Sequence, residues 1–180
     1  MPKLDETRPF RPVNIAILTV SDTRSEQSDR SGATLEERAR ADGHNVVARC
    51  IVTDDQQAIE SQLRRWIADS NVEVVISTGG TGVTARDVTP EAFQALYDKE
   101  IPGFGEAFRW LSYEQIGIST IQSRCTGGIT QGTFLFALPG SPGACRDGWD
   151  QILRHQLDYR FRPCNFVELM PRAAPARSGD

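Results

Sequence analysis

VEVVISTGGTGVTARDVTP, residues 72–90, passes from an apolar segment through a glycine-rich bend to the start of a helix. Val72 to Ser77 (VEVVIS) is rich in β-branched residues, the composition of a strand buried on both faces. Thr89-Pro90-Glu91 opens a helix, with a hydroxyl cap, a proline in the first turn and an acid beside it. A buried strand that feeds directly into a helix is the repeating unit of a parallel sheet.

The same unit recurs on either side. Val13 to Val20 (VNIAILTV) is nearly continuous apolar sequence, and Leu35 to Asp42 reads as a helix after it. His44 to Val52 reads as a second strand, followed by Ile59, Leu63, Trp66 and Ile67 at helical spacing. Gly103 to Ser112 reads as a helix, Thr133 to Leu138 (TFLFAL) as a strand, and Ser141-Pro142 starts a helix running to about Tyr159. The alternation predicts a three-layer α/β sandwich with a mostly parallel sheet. Residues 1–12 read as an arm, 13–169 as one domain and 170–180 as a disordered tail. In such sheets ligands sit beyond the carboxyl ends of the strands. The chemistry is therefore expected after Val20, Val52, Ser77 and Leu138.

Composition narrows the function classes. The net charge of -4 argues against sequence-independent binding to nucleic acid. No apolar run approaches the roughly 20 residues of a membrane span, and MPKLDETRPFRP lacks the apolar stretch of a secretory signal. A cytoplasmic location is expected. Cys50, Cys125, Cys145 and Cys164 form no C-x-x-C pair and read as reduced, mostly buried residues. Only His44 and His155 are available, and neither H-E-x-x-H nor G-x-S-x-G occurs. Histidine-based nucleophilic chemistry and zinc hydrolysis are poorly supported.

The bend itself suits an anion. Successive main-chain N–H groups can form a concave site around a phosphate, and Thr78, Thr81 and Thr84 add hydroxyls beside Gly79, Gly80 and Gly82. A P-loop would need G-K-[ST], which is missing. Residues 80–85 fit the loose G-x-G-x-x-A dinucleotide pattern, but that fingerprint belongs to a first strand-helix turn. Asp87 next to a phosphate loop makes sense if a cation such as Mg²⁺ lies between them; it can equally cap a turn or pair with Arg86. Asp54 ends another strand in IVTDDQQA, where Asp54 or Asp55 can instead cap the following helix. The polar loop Ser21 to Gly32 offers Asp29, Ser31 and Gly32 as substrate contacts. LPGSPG, residues 138–143, offers Gly140 and Ser141 at a helix start that can attract an anion.

STGGTGVTARDVTPEA resembles the signature of the MoaB/MogA proteins of molybdenum cofactor synthesis. Residues 101–124, IPGFGEAFRWLSYEQIGISTIQSR, look like the MoaB branch. LPGSP, the RPCNF at 162–166 and the DRSG at 29–32 agree. The resemblance implies a MoaB/MogA-like molybdopterin-binding fold assembled as homotrimers or homohexamers. It implies transfer of AMP from ATP to the terminal phosphate of molybdopterin, with release of pyrophosphate. The product then passes to the molybdenum insertion step. Asp54 and Asp87 match the acidic pair used for Mg²⁺ and catalysis, Thr81 matches a threonine of the glycine-rich loop, and Ser123 falls in a segment tied to substrate binding. A molybdopterin carrier without catalysis is the alternative, and a dinucleotide oxidoreductase the third.

Overall fold

A computed structural model of the protein describes residues 3–170. The tail expected at 170–180 lies outside the described residues except for Met170.

The elements in chain order are β1 (Lys3–Leu4), β2 (Asn14–Val20), α1 (Arg30–Ala41), β3 (Asn45–Val52), α2 (Gln56–Ile67), β4 (Val74–Thr78), α3 (Thr89–Gln94), β5 (Lys99–Glu100), α4 (Pro102–Ile116), a 3-10 segment (Gly117–Gln122), β6 (Thr126–Thr130), β7 (Thr133–Leu138), α5 (Pro142–Gly148), a wide π turn (Trp149–Leu153), α6 (Arg154–Gln156) and β8 (Phe161–Arg162). Six strands form the main sheet in the order β3-β2-β4-β7-β6-β5. The first four run parallel, and β6 and β5 continue antiparallel.

Side chains alternate across this sheet, as the two-residue period of a strand requires. Ile15, Ile17, Val74, Ile76, Phe134 and Phe136 face a core shared with Leu35 and Ala39 of α1, Phe104 and Phe108 of α4, and Trp149. Ala16, Leu18, Val75, Leu135 and Ala137 face the other core, built with Ile59, Leu63 and Trp66 of α2 and Phe93 of α3. The three layers expected from the alternation of elements are present, with most of the sheet parallel.

Two boundaries differ from the sequence reading, each for a local reason. Helix α1 begins at Arg30, because the Asp29 side chain accepts the Gly32 N–H at 2.9 Å and caps it there. Ser31 and Gly32 therefore belong to a helical turn, not to the polar loop. TGGIT, residues 126–130, forms strand β6 and pairs with β7 through a turn at Gln131 and Gly132. Both turn residues have positive φ, 49° and 93°, the backbone that matches a tight hairpin to the strand twist. The arm contributes β1, which pairs with β8. Arg8 and Arg11 hold their guanidinium groups 3.7 and 3.8 Å from the Tyr159 ring centre.

His44 ties the start of the sheet together. Its Nδ1 accepts the Val13 N–H at 3.2 Å, and its ring packs against Phe10 and Trp149. Burial holds its pKa below the ordinary 6.5, outweighing the attraction of Asp42 and Asp158. His155 is shifted the same way, by burial and then by Arg154. The unfolded chain thus takes up these protons first as pH falls. Stability present above pH 6.5 is lost as pH drops toward the depressed folded values. Melting temperature should fall between about pH 7.5 and about pH 5.5, the range that brackets histidine titration. His44→Gln, which keeps an acceptor for Val13, should flatten that fall; an unchanged slope would rule out His44 as a source.

Candidate functional site

Register brings the carboxyl ends of the parallel strands to one level: Val20 pairs with Val52, Thr19 with Thr78, and Thr78 with Leu138. The loops that leave these ends meet over the sheet. Gly79 lies so close to β2 that a Cβ there would sit 2.3 Å from the Val20 carbonyl oxygen, and its φ is +104°. Gly80 is equally confined. A Cβ would meet Thr89 Oγ1 at 2.3 Å and Asp54 Oδ1 at 3.0 Å. Thr89 then closes the bend: its N–H donates to Gly80 O and its hydroxyl to Gly79 O, 3.0 and 2.9 Å. The expected hydroxyl cap is thus relocated. Val88 occupies the cap position of α3, and Thr89 bonds back to the bend.

The two aspartates sit at opposite ends of this bend and on the same side of the molecule. Asp55 accepts the Ala58 N–H at 2.8 Å and caps α2, which leaves the Asp54 side chain free of that duty. Among the described residues the Asp54 carboxylate accepts no hydrogen bond, while its N–H donates to Asp22. Burial, and then the charge of Asp87, raise the Asp54 pKa. Asp87 is in the reverse situation. The Thr84 hydroxyl (2.6 Å) and N–H (2.9 Å) donate to its carboxylate. Thr84 first, with Gly82 N–H and Arg124 after it, keeps its pKa below the usual range against burial. Arg86 pairs with Asp22. Asp87 thus serves its own loop in the manner of a turn cap, and its oxygens lie 2.7 Å from a Cβ built at Gly82.

A cleft of about 530 Å³ opens beside the bend. Gly80, Thr81, Gly82 and Asp87 form one wall, and Pro139, Gly140 and Ser141 the facing one. Phe108, Ser112 and Ile116 of α4 and Ser123 complete it. Ser141 caps α5 by accepting the Ala144 N–H, as the serine-proline pair suggested.

Other residues singled out from the sequence stand behind these walls. The Thr78 hydroxyl donates to Pro139 O at 2.9 Å and is buried. Ser31 donates to Gly140 O at 2.7 Å. Asp29 is 2% exposed and does not reach the cleft. Burial pushes its carboxyl up, but the Arg49 ion pair at 2.8 Å, Gly32 N–H and the Thr19 hydroxyl outweigh that and keep it ionised. Asp29 is a helix cap, a correction to its expected contact role. Sequence reasoning missed Arg24, which donates to Gly140 O and Ser31, and Arg124, which grips the glycine-rich loop. A lone arginine in a polar stretch carries no signal of the carbonyls it will meet.

The donor set suits a hard divalent ion. Among the described residues no three His, Cys, Asp or Glu side chains converge into a metal cage. Two carboxylates close enough that the charge of Asp87 disfavours ionisation of Asp54, next to a main-chain bend, match a Mg²⁺ ion that keeps waters and takes phosphate oxygens. Thiol chemistry is disfavoured. Cys125 and Cys145 are buried, Cys50 half-buried and Cys164 exposed, and burial raises the Cys50 and Cys145 pKa values to about 11.

Comparison with known proteins agrees with this fold. The family described as "probable molybdopterin binding domain" matches residues 16–159. Molybdenum cofactor biosynthesis protein B of Escherichia coli (strain K12) is 52% identical over 157 residues, covering 87% of this chain and 92% of the relative. A crystal structure of molybdenum cofactor biosynthesis protein B aligns with a TM-score of 0.81 at 42% identity, covering 83% of this chain and 94% of that one. The tungsten cofactor synthesizing protein MoaB from Pyrococcus furiosus aligns with a TM-score of 0.76 at 33% identity, covering 92% and 99%. On the fold and these similarities together, the chain belongs to the MoaB/MogA-like family of molybdenum cofactor biosynthesis proteins.

Proposed function

We propose that this protein transfers AMP from ATP to the terminal phosphate of molybdopterin and releases pyrophosphate. The observation that carries the proposal is that Asp54 and Asp87 approach the two ends of one glycine bend, at Gly80 and Gly82, while the bend and Asp87 line the cleft. Asp54 and Asp87 would hold Mg²⁺, which supplies neutralisation of the triphosphate charge when bound. A terminal phosphate oxygen of molybdopterin forms a bond to the α-phosphorus of ATP, and the bond from that phosphorus to the pyrophosphate oxygen breaks. The attacking phosphate is already ionised near neutral pH, so the site needs no histidine or thiol base. The contribution left to the chain is alignment and charge compensation. Thr81, Gly80 and Gly82 line the cleft where the triphosphate would approach, and Phe108 and Ile116 give it an apolar side that would suit a flat ring.

A second reading, a molybdopterin carrier of the same pathway, draws on one observation: Thr84 N–H and hydroxyl are committed to Asp87 and not free for a ligand. Pyrophosphate release with ATP, Mg²⁺ and molybdopterin separates the two. Molybdopterin binding without release would favour the carrier.

We also propose a homotrimer or homohexamer in the cytoplasm that passes its product to the molybdenum insertion step. Trp110, Ile118 and Ile121 are 69%, 70% and 69% exposed, with Tyr113 and Ile116 beside them along α4 and the following 3-10 turn. Such a contiguous apolar strip is a candidate protein interface. Among the described residues no helix is long and apolar enough to cross a membrane.

Asp87→Asn should leave a cooperative thermal transition and lower pyrophosphate release at least about 100-fold, the scale of losing one charge-stabilising group. Wild-type turnover in that variant would overturn the metal assignment. Asp54→Asn should do the same without weakening α2, whereas Asp55→Ala should destabilise the protein by about 1 kcal/mol through the lost cap. Protons and a divalent ion compete at Asp54, whose pKa is raised, so Mn²⁺ affinity should fall as pH drops through that range. Asp54→Asn should abolish the dependence. Charging the strip with Ile118→Asp and Ile121→Asp should shift the mass measured by light scattering to that of a monomer.

A further inference from the structure

Arg124 lies between Ser123 of the cleft and strand β6, one-third exposed and outside the carboxylate pair. Its main-chain N–H donates to Thr81 O at 3.0 Å. Its side chain donates from Nε to Gly82 O at 2.6 Å and from one terminal nitrogen to Asp87 O. The other terminal nitrogen pairs with the Glu91 carboxylate on α3. One residue therefore takes the carbonyls of Thr81, Gly82 and Asp87, which are both ends of the segment that carries the acid. A planar guanidinium with donors in a fixed fork can serve two carbonyls and a carboxylate together; an ammonium on a flexible stem cannot hold the same three directions.

The peptide unit is planar and trans, so a carbonyl drawn one way sends the next N–H the other way. Thr81 O bonded to Arg124 turns the Gly82 N–H away from it, and that N–H lies on the side of the Asp87 carboxylate. Gly82 O bonded to Nε turns the Val83 N–H likewise. Among the described residues neither the Val83 nor the Thr81 N–H has a protein acceptor. The arginine holds the carbonyls of the loop, while the Gly82 and Thr84 N–H groups donate to the Asp87 carboxylate.

We infer that Arg124 is a positioning residue for this site: by fastening both ends of the 82–87 loop it sets the Asp87 carboxylate toward the cleft opposite Asp54, and Glu91 holds the guanidinium in that posture. The inference rests on the proposed role of Asp87. It adds that the role is fixed from the 123–126 connection and not by the loop alone.

The test uses the full chain and the variants Arg124→Gln, Arg124→Lys and Glu91→Gln. In the pyrophosphate-release assay Arg124→Gln should lower kcat by about 10–100-fold, the scale of losing an outer partner of a metal ligand. KM for molybdopterin should stay within about threefold. Arg124→Lys should restore less than half of the loss. Amide hydrogen exchange should be faster at Gly82 and Thr84, whose N–H groups donate to the Asp87 carboxylate, in Arg124→Gln and Glu91→Gln than in wild type, with exchange in β2 unchanged. A cooperative Arg124→Gln variant with wild-type kcat and wild-type exchange at Gly82 and Thr84 overturns the inference, as does full rescue by lysine. If wild type releases no pyrophosphate, the adenylyl-transfer reading falls, and the exchange rates alone decide for or against Arg124. If Arg124→Gln does not fold, Glu91→Gln decides by the same two readings.

Discussion

Contact between bare backbone and the end of a neighbouring strand governs this site. At Gly79 the main chain touches the Val20 carbonyl, closer than any side chain would allow. That contact draws the loop after β4 down onto the loop after β2. Gly80 can then lie between Asp54 from one strand end and Thr89 from the next helix. An added methyl group at either position would overlap these neighbours and force the parts to move apart. The acidic pair, the cleft wall and the start of α3 all follow from this close approach.

The carboxylates are neighbours in space yet electrostatically unlike. Asp87 is surrounded by donors from its own loop and stays charged; Asp54 is partly buried, receives no donor and feels the charge of Asp87. Two acids pushed apart in this way answer differently to an arriving cation. The first is ready to bind it, and the second gains most from its presence, because the cation compensates a charge that burial, and then Asp87, disfavour. Arg124 and Glu91 sit on the far side of the same loop and belong to this balance.

Much of the architecture was legible because it rests on repeating local patterns. The unbroken apolar runs of β2 and β4 and the spacing of Ile59, Leu63 and Trp66 could hardly be read otherwise. TGGIT was not legible as a strand, because its two glycines carry no β signal; a Cβ at Gly128 would sit 2.4 Å from the Tyr97 ring, a reason visible only in three dimensions. Of the residues named from sequence, Gly80, Thr81, Gly82, Asp87, Ser123, Gly140 and Ser141 line the cleft, whereas Asp54 approaches Gly80 and is not part of the lining. Asp29 and Asp54 show the limit of that reasoning. Each was an acid in a loop after a strand; Asp29 is held by the Gly32 N–H of its own helix and by Arg49, while Asp55 takes the cap of α2 and leaves Asp54 without a donor.

The pairing of β1 with β8 ties the arm at Lys3–Leu4 to Phe161–Arg162, late in the chain. Met170 lies near Glu73 and Thr133, where β4 and β7 begin, at the amino edge of the parallel strands. The cleft opens at the opposite edge, about 20 Å away for a strand of this length. Ser70 is exposed on that amino edge. A fluorescent or spin label carried there would report on the fold from a point remote from the ligand entrance.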